Sequence, residues 1–217
     1  MIISRGRRYI FVHIPKTGGT SMALALEARA MKDDLMLGDT PKAAKRRRRL
    51  KGALARGRLW KHSTLADIDG LITPDEARDF FTFTLVRNPW DRVLSYHAWL
   101  RGQSFDHPAV RAAKELDFAD FLRDPGVAAS LARHPYASYM RAADGGERAD
   151  LYIRLEHLKA DIAPLEAHLG FTLDIPHVNR SQRSGDYRAA YDDASRERVG
   201  RLCAEDIARF GYSFERS

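Results

Sequence analysis

The chain has 217 residues, 36 basic against 29 acidic, a formal charge of +7, and 44% of it is apolar. That is enough apolar material for an ordinary core, and it excludes disordered, collagen-like and disulfide-stapled classes. The single cysteine, Cys203, rules out an intrachain disulfide and suits a reducing compartment. No apolar run approaches the roughly 18 residues that span a bilayer. The first apolar run, Tyr9 to Val12, meets His13, Pro15 and Lys16 at once, so it reads as a strand rather than a signal peptide, and the expected location is cytoplasmic.

Three short runs rich in β-branched and aromatic residues have strand character: Tyr9 to Ile14, Phe80 to Val86 and Leu151 to Leu155. Each precedes a helical pattern, at Thr20 to Ala30, Asp91 to Leu100 and Glu156 to Leu169. Strand, turn and helix repeated three times predict an α/β domain with a parallel sheet covered by helices. Further helices are expected at Pro74 to Asp79, Phe118 to Arg123, Pro135 to Ala143 and Ala194 to Phe210, the last stopping at Gly211. No internal repeat or linker interrupts the chain, which reads as a single domain over residues 1–217.

The charge is concentrated. Residues 40 to 66 hold ten basic side chains (Lys42, Lys45, Arg46, Arg47, Arg48, Arg49, Lys51, Arg56, Arg58 and Lys61) and no acid, and the rest of the chain carries a net −3. A mildly acidic globule with one basic insertion is a weaker case for nucleic acid than a basic face spread over the fold.

Ligands of open α/β sheets bind beyond the carboxyl ends of the strands, so the strand-to-helix turns carry the functional signal. The first reads His13-Ile14-Pro15-Lys16-Thr17-Gly18-Gly19-Thr20-Ser21. Two glycines let amides turn inward, two hydroxyls follow, and a helix N-terminus adds partial positive charge: an anion cradle with Lys16 beside it. An ordinary capped turn is the plain alternative. The lysine precedes the glycines, and neither Gly-Lys-[Ser/Thr] nor Gly-x-Gly-x-x-Gly occurs, which separates the turn from nucleoside-triphosphate and dinucleotide loops. The second turn reads Val86-Arg87-Asn88-Pro89-Trp90-Asp91-Arg92, with Ser95 one helical turn further on. Arg87 and Ser95 suit a second anion, whereas Asp91 is expected to cap the helix and Arg92 to pair with a carboxylate.

These two segments resemble the 5′-phosphosulfate loop and the 3′-phosphate motif of sulfotransferases that use 3′-phosphoadenosine 5′-phosphosulfate (PAPS), most closely their carbohydrate branch, which includes heparan 2-O- and chondroitin sulfotransferases and short bacterial members. Ile153 to Leu158, Pro176 to Ser181 and Asp206 to Phe214 are similar to that family's later landmarks, in the same order. The resemblance implies a P-loop-kinase-like parallel β-sheet flanked by helices and PAPS as co-substrate, with no metal. It places Lys16, the amides of Thr17, Gly18, Gly19, Thr20 and Ser21, and the hydroxyls of Thr20 and Ser21 on the 5′-phosphosulfate. Arg87 and Ser95 fall on the 3′-phosphate, and Ser181 and Arg183 on a loop over the nucleotide.

An acceptor hydroxyl needs a base with a pKa near working pH, which points to the histidines. His62 lies where the family carries its base and is the candidate, with Lys16 stabilising the leaving group; a surface histidine beside the basic run is the alternative. His13 reads as packed, His97 as a group approaching the acceptor, and His157 and His177 as structural. No metal-binding spacing of His or Cys occurs. The sharper reading of residues 40–66 is a flap that draws an anionic acceptor, such as a saccharide, toward His62; the plainer one is a solvated or mobile helix. A nucleotide or small-molecule kinase is the enzymatic alternative, disfavoured by the missing Gly-Lys-[Ser/Thr] and strand-end Asp. A nucleic-acid-binding module using the basic run is the second, disfavoured by the absence of any known binding pattern.

Overall fold

A computed structural model describes residues 1–176 and 185–215 of the chain. Five strands form one sheet, β1 (Ile2–Ser4), β2 (Tyr9–Val12), β3 (Leu35–Met36), β4 (Phe81–Val86) and β5 (Leu151–Arg154), in the order β3-β1-β2-β4-β5. The helices are α1 (Gly19–Ala28), α2 (Pro41–Arg46), α3 (Pro74–Asp79), α4 (Pro89–Arg101), α5 (Pro108–Glu115), α6 (Phe118–Arg123), α7 (Pro125–Arg133), α8 (Tyr136–Tyr139), α9 (Leu158–Asp161), α10 (Ala163–Leu169), α11 (Asp193–Leu202) and α12 (Ala204–Phe210). None among the described residues is long and apolar enough to cross a membrane.

The three expected strands are β2, β4 and β5, and they run parallel, with Phe11 opposite Phe83 and Leu85 opposite Ile153. Two short strands that periodicity does not predict, β1 and β3, extend the sheet antiparallel beyond β2, so the α/β sheet is mixed. Side chains of successive residues point to opposite faces. Tyr9 and Phe11 accordingly join Met22 and Leu26 of α1, Phe83, Leu85 and Leu165 in one cluster. Ile10 and Val12 join Leu65, Ile68, Ile72 and Met140 in the other. Burial on both faces explains why β2 is an unbroken apolar run.

The chain packs as two compact units. One comprises Met1–Val86 and Ala137–Asn179 and contains the sheet; the other comprises Arg87–Tyr136 and Arg180–Ser217. The second is helical, with Trp90, Val93 and Leu100 of α4 packed on Val110, Phe121, Val127, Val199 and Cys203.

Three expected helices are shorter or divided. The helix expected over 135–143 is the single turn α8, because the chain then doubles back through a bridge between Arg141 and Glu147. That expected over 156–169 is a 3-10 turn followed by α9 and α10, divided at Ile162, where Pro164 opens α10 without an N–H to donate. That expected over 194–210 is divided at Cys203, with φ −114° and ψ 23°, and does end at Gly211, whose φ is +65°.

Candidate functional site

The turn between β2 and α1 is built by its own side chains. Thr17, 1% exposed, donates its hydroxyl to Ile14 O at 2.9 Å, so that hydroxyl ties the loop together and only the Thr17 amide is left for a ligand. Lys16 takes φ +67°, a backbone region non-glycine residues seldom occupy, and Gly18 caps the helix at φ +85° without a side-chain bond. The first-turn amides of Gly19 and Thr20 precede any intrahelical carbonyl partner, whereas Ser21 N–H donates back to Gly18 O. A Cβ on Gly19 would lie 2.1 Å from His13 Cδ2, so the loop closes onto an imidazole ring. His13 is buried, as expected, and burial drives its pKa well below the usual histidine value.

His62 lies against that ring. The centroids are 4.7 Å apart at 75°, and Trp60 packs edge-on from another side at 5.0 Å. His62 Nδ1 is 2.7 Å from the backbone oxygen of His13. A carbonyl only accepts, so Nδ1 carries the hydrogen and Nε2 keeps its lone pair. Burial lowers the ring's pKa to about 4, partly opposed by the bond to His13 O, which favours the charged form. The turn beneath is fixed by Ser63, wholly buried, whose hydroxyl accepts from Trp60 N–H at 2.9 Å and lies 2.8 Å from Arg58 O. Asp67 holds Thr64 through its amide and hydroxyl.

In the helical unit, Arg87 directly precedes Asn88, the N-cap of α4, whose side chain accepts from Trp90 N–H. Asn88 rather than Asp91 therefore caps the helix. Asp91 instead binds the Arg87 guanidinium, its Oδ2 accepting from Nε at 2.8 Å and Nη2 at 2.5 Å. Ser95, 6% exposed, stands one turn beyond Asp91 on the same stripe of α4. Arg92 lies over the Tyr136 ring at 4.7 Å, a cation–π contact. His97 does not have the open position expected of a group near the acceptor: it is 6% exposed and packed on Phe118 and Phe121, and burial lowers its pKa. Ser181, Arg183 and His177 lie outside the described residues.

The basic segment divides by role. Lys42 donates to Glu27 O, Arg46 to Met31 O at 2.7 Å and Arg49 to Lys32 O, all carbonyls at or just beyond the C-terminal end of α1. Lys61 pairs with Asp39 at 2.5 Å, Arg56 reaches Ala143 O and Arg58 covers the Trp60 ring. Lys45, Arg47, Arg48 and Lys51 are exposed. Among the described residues these four make no ion pair.

Sequence reasoning named Lys16, His62 and Arg87 as candidates but not the contacts that hold them. The His13 carbonyl is 49 residues from His62, and no local pattern announces such a partner. The Arg87–Asp91 pair was open to the i,i+4 rule.

Residues 1–213 match the family model described as "Sulfotransferase family". No curated protein matches the chain. Among solved structures it is similar to a mouse sulfotransferase complexed with PAP, at 17% identity and a TM-score of 0.47, over 94% of this chain and 85% of that one.

Proposed function

The chain belongs to the sulfotransferase family, and from that premise we propose that it transfers the sulfuryl group of PAPS to a hydroxyl of a carbohydrate-like acceptor, with His62 as base. The observation that carries the reading is the His62 tautomer. With Nδ1 committed to the His13 carbonyl, Nε2 is the ring's one acceptor, and burial keeps it unprotonated at neutral pH.

In this reading the amides of residues 17–20 and the hydroxyls of Thr20 and Ser21 take the 5′-phosphosulfate, the Ser21 amide being used within the turn, and Arg87 and Ser95 take the 3′-phosphate. The acceptor oxygen attacks sulfur and gives its proton to His62 Nε2. As the new O–S bond forms, the bond from sulfur to the bridging phosphate oxygen breaks, and adenosine 3′,5′-bisphosphate leaves with the bond's electron pair. Lys16 lies against the charge growing on that oxygen, and donors of this kind, in place before the reaction begins, stabilise the leaving group as its charge develops. The His13 carbonyl, facing the Nδ1 hydrogen, favours the imidazolium that results.

His62→Ala tests the assignment. Sulfuryl transfer, followed by mass spectrometry as a gain of one sulfo group on candidate saccharides, should fall by about 10²- to 10⁴-fold, the usual worth of a general base. Adenosine 3′,5′-bisphosphate should still bind. Unchanged turnover would remove His62 from the chemistry, and calorimetry in which magnesium–ATP binds more tightly than the bisphosphate would replace the sulfotransferase reading with a kinase.

A further inference from the structure

We propose that Tyr136 is a positioning residue for Arg87, fixing the backbone from which that guanidinium reaches a 3′-phosphate; the proposal rests on the assignment of Arg87 given above. The β4–β5 ladder ends at Val86, and the first carbonyl used by α4 is that of Asn88, which accepts from Arg92 N–H. The Arg87 carbonyl falls between the two and accepts from a side-chain donor. Tyr136 supplies it, its hydroxyl donating to Arg87 O at 2.5 Å.

The phenol is itself held. Tyr136 is fully buried, its backbone N–H donates to Asp206 Oδ1 at 2.9 Å, Arg92 covers its ring and Phe210 packs at 5.9 Å. Asp206 is itself 2% exposed, so the carboxylate that holds this amide lies in the interior. Burial keeps the Tyr136 hydroxyl protonated, and its one hydrogen is spent on Arg87. Arg87 is thus anchored at its backbone carbonyl by Tyr136 and at its guanidinium by Asp91, which orders the residue before a ligand arrives.

Tyr136→Phe keeps the ring and removes only the hydroxyl. Titrating the full chain with adenosine 3′,5′-bisphosphate and with 5′-AMP should show the first Kd raised about 3- to 10-fold, the worth of one hydrogen bond, and the second changed less than about twofold. In an Arg87→Ala background the same substitution should leave the bisphosphate Kd where Arg87→Ala alone puts it. Equal weakening of both ligands, or an unchanged Kd with a lowered Tm, would reduce Tyr136 to a packing residue. If Arg87→Ala removes the preference for the 3′-phosphate and Tyr136→Phe does not, the positioning role is overturned while the Arg87 assignment stands. If Arg87→Ala leaves that preference intact, the assignment fails and the proposal with it.

Discussion

At the scale of a residue, the proposed base is set by two opposing effects. Taking the His62 ring out of water disfavours the imidazolium, and the His13 carbonyl at 2.7 Å favours it; burial prevails, leaving a pKa of about 4. Between about pH 6.5 and pH 4 the unfolded chain therefore binds a proton at His62 that the folded chain does not, and this site's contribution to stability falls as the pH is lowered through that window. A bound phosphosulfate or bisphosphate brings negative charge toward the loop that packs on His13, which stabilises the imidazolium and raises the pKa. An NMR titration of the His62 ring should have its midpoint well below 6.5 in the free protein and a higher one with adenosine 3′,5′-bisphosphate bound. A midpoint at the ordinary histidine value in both states would mean that the ring is solvated and its bond to His13 O is not maintained.

At the scale of an element, α1 and the turn before it act as one piece. Gly18 supplies a positive φ, but Gly19 is required for a different reason: its missing Cβ is the space occupied by the His13 ring. Gly19→Ala should cost about 1–3 kcal/mol, as overpacking of a tight site does, and should weaken bisphosphate binding because relieving the clash with the His13 ring shifts the loop amides proposed to take the 5′-phosphate. A thermal melt and a titration check both; wild-type affinity in the variant would mean that the glycine serves the turn alone. The sheet that carries this loop was legible in β2, an apolar run buried on both faces, and in β4 and β5, where β-branched and aromatic residues dominate. The antiparallel strands β1 and β3, three and two residues long, are too short for any period to emerge. Helices α5 and α7 did carry a signal, His107-Pro108 and Asp124-Pro125, a cap followed by proline at the first helical position. At eight and nine residues they are about two turns each, and their large apolar residues are few, Val110 in α5 and Val127 and Leu131 in α7. For the proposed site, the candidate residues came from turn chemistry and order along the chain, whereas the contacts that hold two of them join positions 49 residues apart, which only folding brings together.

At the scale of the whole molecule, the excess of positive charge lies in one segment that performs two physical tasks. Lys42 donates to Glu27 O in the last turn of α1, where the helix dipole places partial negative charge, and Arg46 and Arg49 donate to the loop carbonyls of Met31 and Lys32 beyond it, each contact worth about 0.5–1 kcal/mol. Replacing all three by Ala should lower the Tm by several degrees, at roughly 2–4 °C per kcal/mol for a chain of this size. Lys45, Arg47, Arg48 and Lys51 face solvent without a carboxylate, and their replacement by Ala should move stability by no more than about 0.5 kcal/mol. Removing those four charges should nevertheless lower the salt needed to elute the protein from a cation exchanger and raise KM for an anionic acceptor, because long-range attraction depends on uncompensated charge. KM for PAPS should stay put. A Tm that falls equally in the two sets of variants would contradict the division of roles, and a KM unchanged for both substrates would leave the four exposed cations as solubilising charge with no part in drawing the acceptor toward His62.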